Sequence, residues 1–104
     1  MSFDDDFALQ VLREMYLTFG VDGAVARRDG PAVPVRIIVN RGQERIGEFN
    51  QVVGRVTTVV FMADQWRPAA GDVVSWSDRL GAHHKKVEGP RSDDGLEIEV
   101  VLHA

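Results

Sequence analysis

At Gly20 the apolar pattern of the chain changes period from four residues to two, and no single-class fold accommodates both halves. Before the switch, Phe3, Phe7, Val11, Met15 and Phe19 recur every fourth residue, with Ala8, Leu12 and Tyr16 on the adjoining row. That spacing predicts one amphipathic helix over 3–19. Ser2 followed three residues later by Asp5 is a capping-box pattern, and the Asp4–Asp6 run puts negative charge at the positive end of the helix dipole. Gly20 supplies the stop. The apolar stripe is wide, so the helix is expected to pack down on the rest of the chain.

After Gly20 the segments alternate. "VDGAVAR" is a strand candidate ending at the turn "RDGP", and "VPVRIIVN" puts Val35, Ile37 and Val39 on one face. Residues 40–50, "NRGQERIGEFN", are polar with two glycines and read as a long flexible loop. "QVVGRVTTVVFM" is the longest β-prone run, with a bulge or bend expected at Gly54. "RPAAGD" turns into "VVSW", "SDRLG" makes a hairpin into "AHHKKVE", and "GPRSDDG" leads to "LEIEVVLH". In this last segment Leu96, Ile98, Val100 and Leu102 are expected to point inward. The expected fold class is mainly β (α+β): a small antiparallel β-barrel or sandwich of about six strands with one N-terminal α-helix. At 104 residues, 1–104 reads as a single domain, with a β-rich part over 21–104.

Composition removes several classes of function. There is no cysteine, hence no disulfide, thiol chemistry or cysteine-ligated zinc. No apolar run approaches the ~20 residues of a membrane span, and the acidic start fits no signal or transit peptide. A cytoplasmic site of synthesis is the expectation. The net charge is −4, unevenly spread: residues 27–55 carry six arginines against three acids, with acid in excess on either side. Tight non-specific DNA binding needs many cations together, so the balance favours protein partners met through acidic and basic patches. No G-x-S-x-G turn or phosphate loop occurs, so neither an enzyme nor a cofactor is expected. Asp93 and Asp94, before Gly95, read as turn residues rather than an acid–base pair. Gly71-Asp72 begins a strand, and bonding of Asp72 to its own backbone accounts for it.

The local oddity is "GAHHKKVEG", Gly81 to Gly89. On a strand His83 and His84 point to opposite faces and cannot chelate one ion together, so the stretch reads as a strand with one face exposed and not as a metal site. Trp76 shares a face with Val74 and is expected in the core. Trp66, beside Arg67 and Pro68, reads as a plug over one end of the core or as a docking anchor.

Two stretches, "FDDDFALQVLREMYLTFGVDGAV" and "RPAAGDVVSW…LG…SDDGLEIEVVL", give the chain a resemblance, across nearly its whole length, to the phage head–tail attachment proteins of lambda-like phages and prophages. The strand after the Gly81 hairpin departs from that pattern, carrying His84 and Lys86 where apolar alternation is expected. The resemblance implies a structural protein without catalysis, a monomer in solution that forms a ring on the virion. It also implies a place at the virion neck after assembly in the host cytoplasm, with portal-side head-completion and tail-terminator proteins as partners. Membrane and specific nucleic-acid partners are not expected. Family loops make the ring contacts, which by position singles out 40–50. The candidate interface residues are Arg41, Gln43, Glu44, Arg45, Glu48, Phe49, Arg55 and Trp66. The alternative from another class is a small β-barrel binding single-stranded nucleic acid or a ligand.

Overall fold

The computed structural model of the protein describes residues 3–46 and 49–103. Its elements are α1 (Phe3–Phe19), β1 (Val21–Ala26), β2 (Ala32–Ile46), β3 (Val52–Met62), β4 (Val73–Asp78), β5 (Gly81–Asp93) and β6 (Glu97–Leu102). The six strands pair antiparallel in the cyclic order β1-β2-β3-β6-β5-β4, and β4 returns to β1 to close a barrel. The mainly β architecture expected from the period switch is the one observed.

The barrel is filled by the alternation that builds it. Val25, Val35, Ile37, Val59, Phe61, Val74, Trp76, Val87, Ile98, Val100 and Leu102 form one buried cluster, with contributions from every strand. A six-stranded barrel is narrow, so these side chains pack it solid. Gly23 on β1 is required by this closeness: a Cβ there would lie 2.8 Å from the Ser75 carbonyl oxygen. Trp76 is buried as expected.

The segment 40–50 corrects the sequence reading. Residues 40–46 are not a loop but the continuation of β2, paired with β3 from Asn40↔Thr58 to Ile46↔Val52. The turn beyond carries Phe49 and Asn50, and Glu48 lies outside the described residues. Polarity misled here because β1 ends opposite Ile37 and β6 pairs with β3 only from Thr58 onward. Beyond those points the β2–β3 hairpin leaves the barrel as a two-stranded arm with little core to face, and such strands need not be apolar. Gly42, at a φ of 70°, sits where the register slips between Asn40 and Gln43, a bulge that bends the arm. A second slip falls beside Gly54, as expected.

β5 also runs longer than expected. "GPRS" belongs to the strand, with Pro90 opposite Val100 and Ser92 opposite Glu99. The turn is confined to Asp94–Leu96, where Asp94 accepts the amides of Leu96 and Glu97 and is held below the usual carboxylate range by those bonds.

The helix is the larger surprise. The wide stripe predicted close packing, yet only Tyr16 is buried among its described side chains. Its hydroxyl donates to Glu97 across 2.8 Å, and burial together with that carboxylate pushes the phenol well above its ordinary range. Tyr16 and Met62 line a small cavity of about 220 Å³ between helix and barrel. Arg36 secures the helix end, donating from Nε to the Tyr16 carbonyl and from Nη2 to that of Leu17. A cation there satisfies terminal carbonyls and complements the dipole. Arg13 pairs with Asp64 at 3.0 Å, just past the end of β3. Val11, Met15, Leu17 and Phe19 remain exposed, the last two at 71% and 70%.

Candidate docking site at the barrel mouth

Where the arm leaves the barrel, it leans back over the open end. Arg41 pairs with Asp78 at the end of β4, and Arg45 pairs with Glu88 on β5. Arg55, across the hairpin, donates to the Gly42 carbonyl and lies 3.9 Å from Glu44. Between arm and barrel is a pocket of about 260 Å³, walled by all three arginines, Val56, Leu102 and His103 and floored by Trp76, His83 and Lys85.

The floor follows from strand phase. His83, Lys85 and Val87 are the less exposed members of β5, and His84 and Lys86 the more exposed. The first three therefore form the face turned toward the barrel. This face is apolar at Val87, inside the core, and becomes cationic toward the mouth. His84 and Lys86 point outward, and His84 contacts the Ser75 hydroxyl at 2.9 Å. The strand pairs with β4 over 81–86 and with β6 over 87–93.

Electrostatics hold the arm down. Asp78 lies 2.9 Å from His83 Nε2, and that bond, helped by the Leu80 amide and the Arg41 charge, lowers its carboxyl to about 2. The bond from Arg45 likewise holds Glu88 below the usual carboxylate range. His103 Nδ1 lies 4.0 Å from the same carboxylate. Lys85 makes no side-chain hydrogen bond or ion pair among the described residues.

Of the residues singled out in the sequence, Arg41, Arg45 and Arg55 thus come together. Gln43 and Glu44 lie along the arm, and Phe49 is exposed at its tip, at 85%. Trp66 is at the other end of the barrel, packed against the core cluster as a cover. Its indole N–H donates to Asp72 at 3.0 Å, and the Arg27 guanidinium lies over its ring, 4.9 Å from the centroid. Asp72 does more than bond the nearby backbone: it is 2% exposed, accepts the Ala69 amide and also pairs with Arg27. Reasoning from the sequence missed Lys85, His83 and His103 as companions of the arginines. The available signal was phase: two-residue spacing puts His83 and Lys85 on one face with Val87.

Among the described residues, no group of three or more histidines, aspartates or glutamates is gathered to hold a metal ion, and no described helix is long and apolar enough to cross a membrane. In comparisons with known proteins, no family model matches the chain and no curated protein matches it.

Proposed function

We propose that this is a structural assembly protein acting at a phage or prophage head–tail junction, where copies form a ring that joins the DNA-filled head to the tail. The observation that carries the docking part of this reading is the exposed apolar stripe of α1. Val11, Met15 and Phe19, four residues apart on one face, stay in solvent on a domain whose barrel is already filled, and Leu17 is exposed on another face of the helix. Contiguous apolar surface on a small domain marks an interaction site. Barrel closure pairs the core strands into a ring and leaves the open edges to the arm, so partners would meet the helix, the arm and the mouth. A standard stable interface buries about 1,600 Å² in total, which needs surfaces of this kind. The head–tail assignment rests on the resemblance of the two quoted stretches. It brings with it the portal-side head-completion and tail-terminator partners, the virion neck and the absence of catalysis.

The second reading, a small barrel that binds single-stranded nucleic acid or a ligand, is favoured by one feature, the basic pocket. Against it, Trp76 is only 6% exposed and offers no stacking platform, and the net charge is −4. The deciding experiment mixes the protein with tailless, DNA-filled heads that lack it and with free tails. A gain in infectious particles is expected. No gain with a cognate phage would overturn the reading.

A further inference from the structure

We infer that the barrel mouth is a seat for a carboxylate side chain from an acidic segment of a docking polypeptide, with Lys85 as its counter-charge. The inference deepens the reading of the chain as an assembly protein and rests on it. Four cations, Arg41, Arg45, Arg55 and Lys85, meet three carboxylates, Glu44, Asp78 and Glu88. Each arginine has a carboxylate in the fold, and Lys85 has none among the described residues. The surplus charge is that of Lys85, which lines a pocket of about 260 Å³, room for one side chain and little more.

The walls select the kind of anion. Val56 and Leu102 make one side apolar, which suits the methylene stem of an aspartate or glutamate and gives a free phosphate nothing to contact. Glu88 stands at the wall and would repel a dianion or a polyanionic strand, whereas a single carboxylate balances Lys85. The arm already uses this chemistry, since Arg41 and Arg45 both hold carboxylates at the rim. The protein's own helix cannot be the source: Arg13 meets Asp64 past the C-terminal end of β3, whereas the mouth lies at the N-terminal end of that strand. A second copy could supply one, because the sequence carries the run Asp4–Asp6, and such a contact would be head-to-tail.

The test is an NMR titration of the isotopically labelled full chain with four probes. These are an acetylated LELEL peptide, its LQLQL counterpart, inorganic phosphate and the peptide of residues 1–10. The LELEL peptide is expected to give saturable shifts at Lys85, Val56, His103 and the Trp76 indole, and LQLQL none. Lys85→Gln should weaken LELEL binding about three- to fivefold, and Lys85→Arg should restore it. Saturation by the 1–10 peptide at the same residues would identify a second copy as the partner. Its failure while LELEL binds would leave the seat to a different acidic chain. Equal binding of LQLQL, equal shifts with phosphate, or an unchanged affinity in a folded Lys85→Gln protein would each overturn the inference. Head–tail joining activity without peptide binding would overturn this seat and leave the assembly role standing. Peptide binding without joining activity would do the reverse.

Discussion

Trp76 on β4 and His83 on β5 lie directly opposite each other and stack, their ring centroids 5.0 Å apart and their planes inclined by 25°. The indole belongs to the core and the imidazole to the mouth, so this pair joins the packed interior to the arm that Asp78 and Arg41 hold over it. His83→Ala should cost about 1 kcal/mol from the ring contact. It should also move the Trp76 emission to longer wavelength as water reaches the indole, with Trp66 as a constant background. Fluorescence-monitored urea denaturation reads both quantities.

The pH dependence of the same cluster has a definite sign. Asp78 titrates lower in the folded chain than in the unfolded one, so its contribution to stability is present above the ordinary carboxylate range and is lost as pH falls toward about 2. Carboxyl-carbon NMR should find its midpoint near 2. An Asp78→Asn protein should lose stability relative to wild type at neutral pH and converge with it in acid. A midpoint near 4 would contradict the geometry.

At the opposite end, Asp72 gathers the Trp66 indole, the Ala69 amide and the Arg27 guanidinium on one buried carboxylate. Asp72→Ala should destabilise by roughly 2–3 kcal/mol, because it leaves donors without an acceptor at the base of β4. Asp72→Asn, which keeps one acceptor oxygen, should cost less. Chemical denaturation ranks the two.

The helix hangs on few contacts, and its attachment should be separable from barrel stability. Tyr16→Phe removes only the bond to Glu97 and should cost about 1.5 kcal/mol, within the range for bonds to charged groups. Arg36→Ala removes the guanidinium bonds to the carbonyls of Tyr16 and Leu17, leaving Tyr16 only the Gly20 amide, and should release the helix end. Hydrogen exchange should then rise across 7–19 while the amides of β3 and β6 stay protected.

Replacing Leu17 and Phe19 together by serine should leave the melting temperature nearly unchanged, since both side chains are mostly in solvent. If α1 is the docking face, the same double variant should fail in head–tail joining. A large fall in stability would instead mean that the helix is packed.

The readable parts of the chain were those where one physical rule acts alone. Val35 and Ile37, Val74 and Trp76, and Ile98 to Leu102 alternate because a single core lies on one side of them, and they occupy the barrel as expected. The arm was misread because its strands are held by pairing and by Arg45–Glu88 rather than by burial, and polarity is then uninformative. The helix was misread for the converse reason: an apolar stripe reports that something is to be covered and does not say by which molecule. Arg41, Arg45 and Arg55 could be singled out as a group. Their neighbours Lys85, on β5, and His103, just past β6, are brought there by a strand adjacency that depends on the cyclic order, which no local pattern encodes.

Closure also dictates a timetable during synthesis. β6 is inserted between β3 and β5, so neither of those strands has its second neighbour until residues 97–102 have cleared the ribosome. Until then two hydrogen-bonding rows and the apolar faces of Phe61 and Val87 stand open, a template for mispairing with other nascent chains. Lys86 and Glu88, which flank Val87, have already emerged during that interval, and charges so placed work against such mispairing.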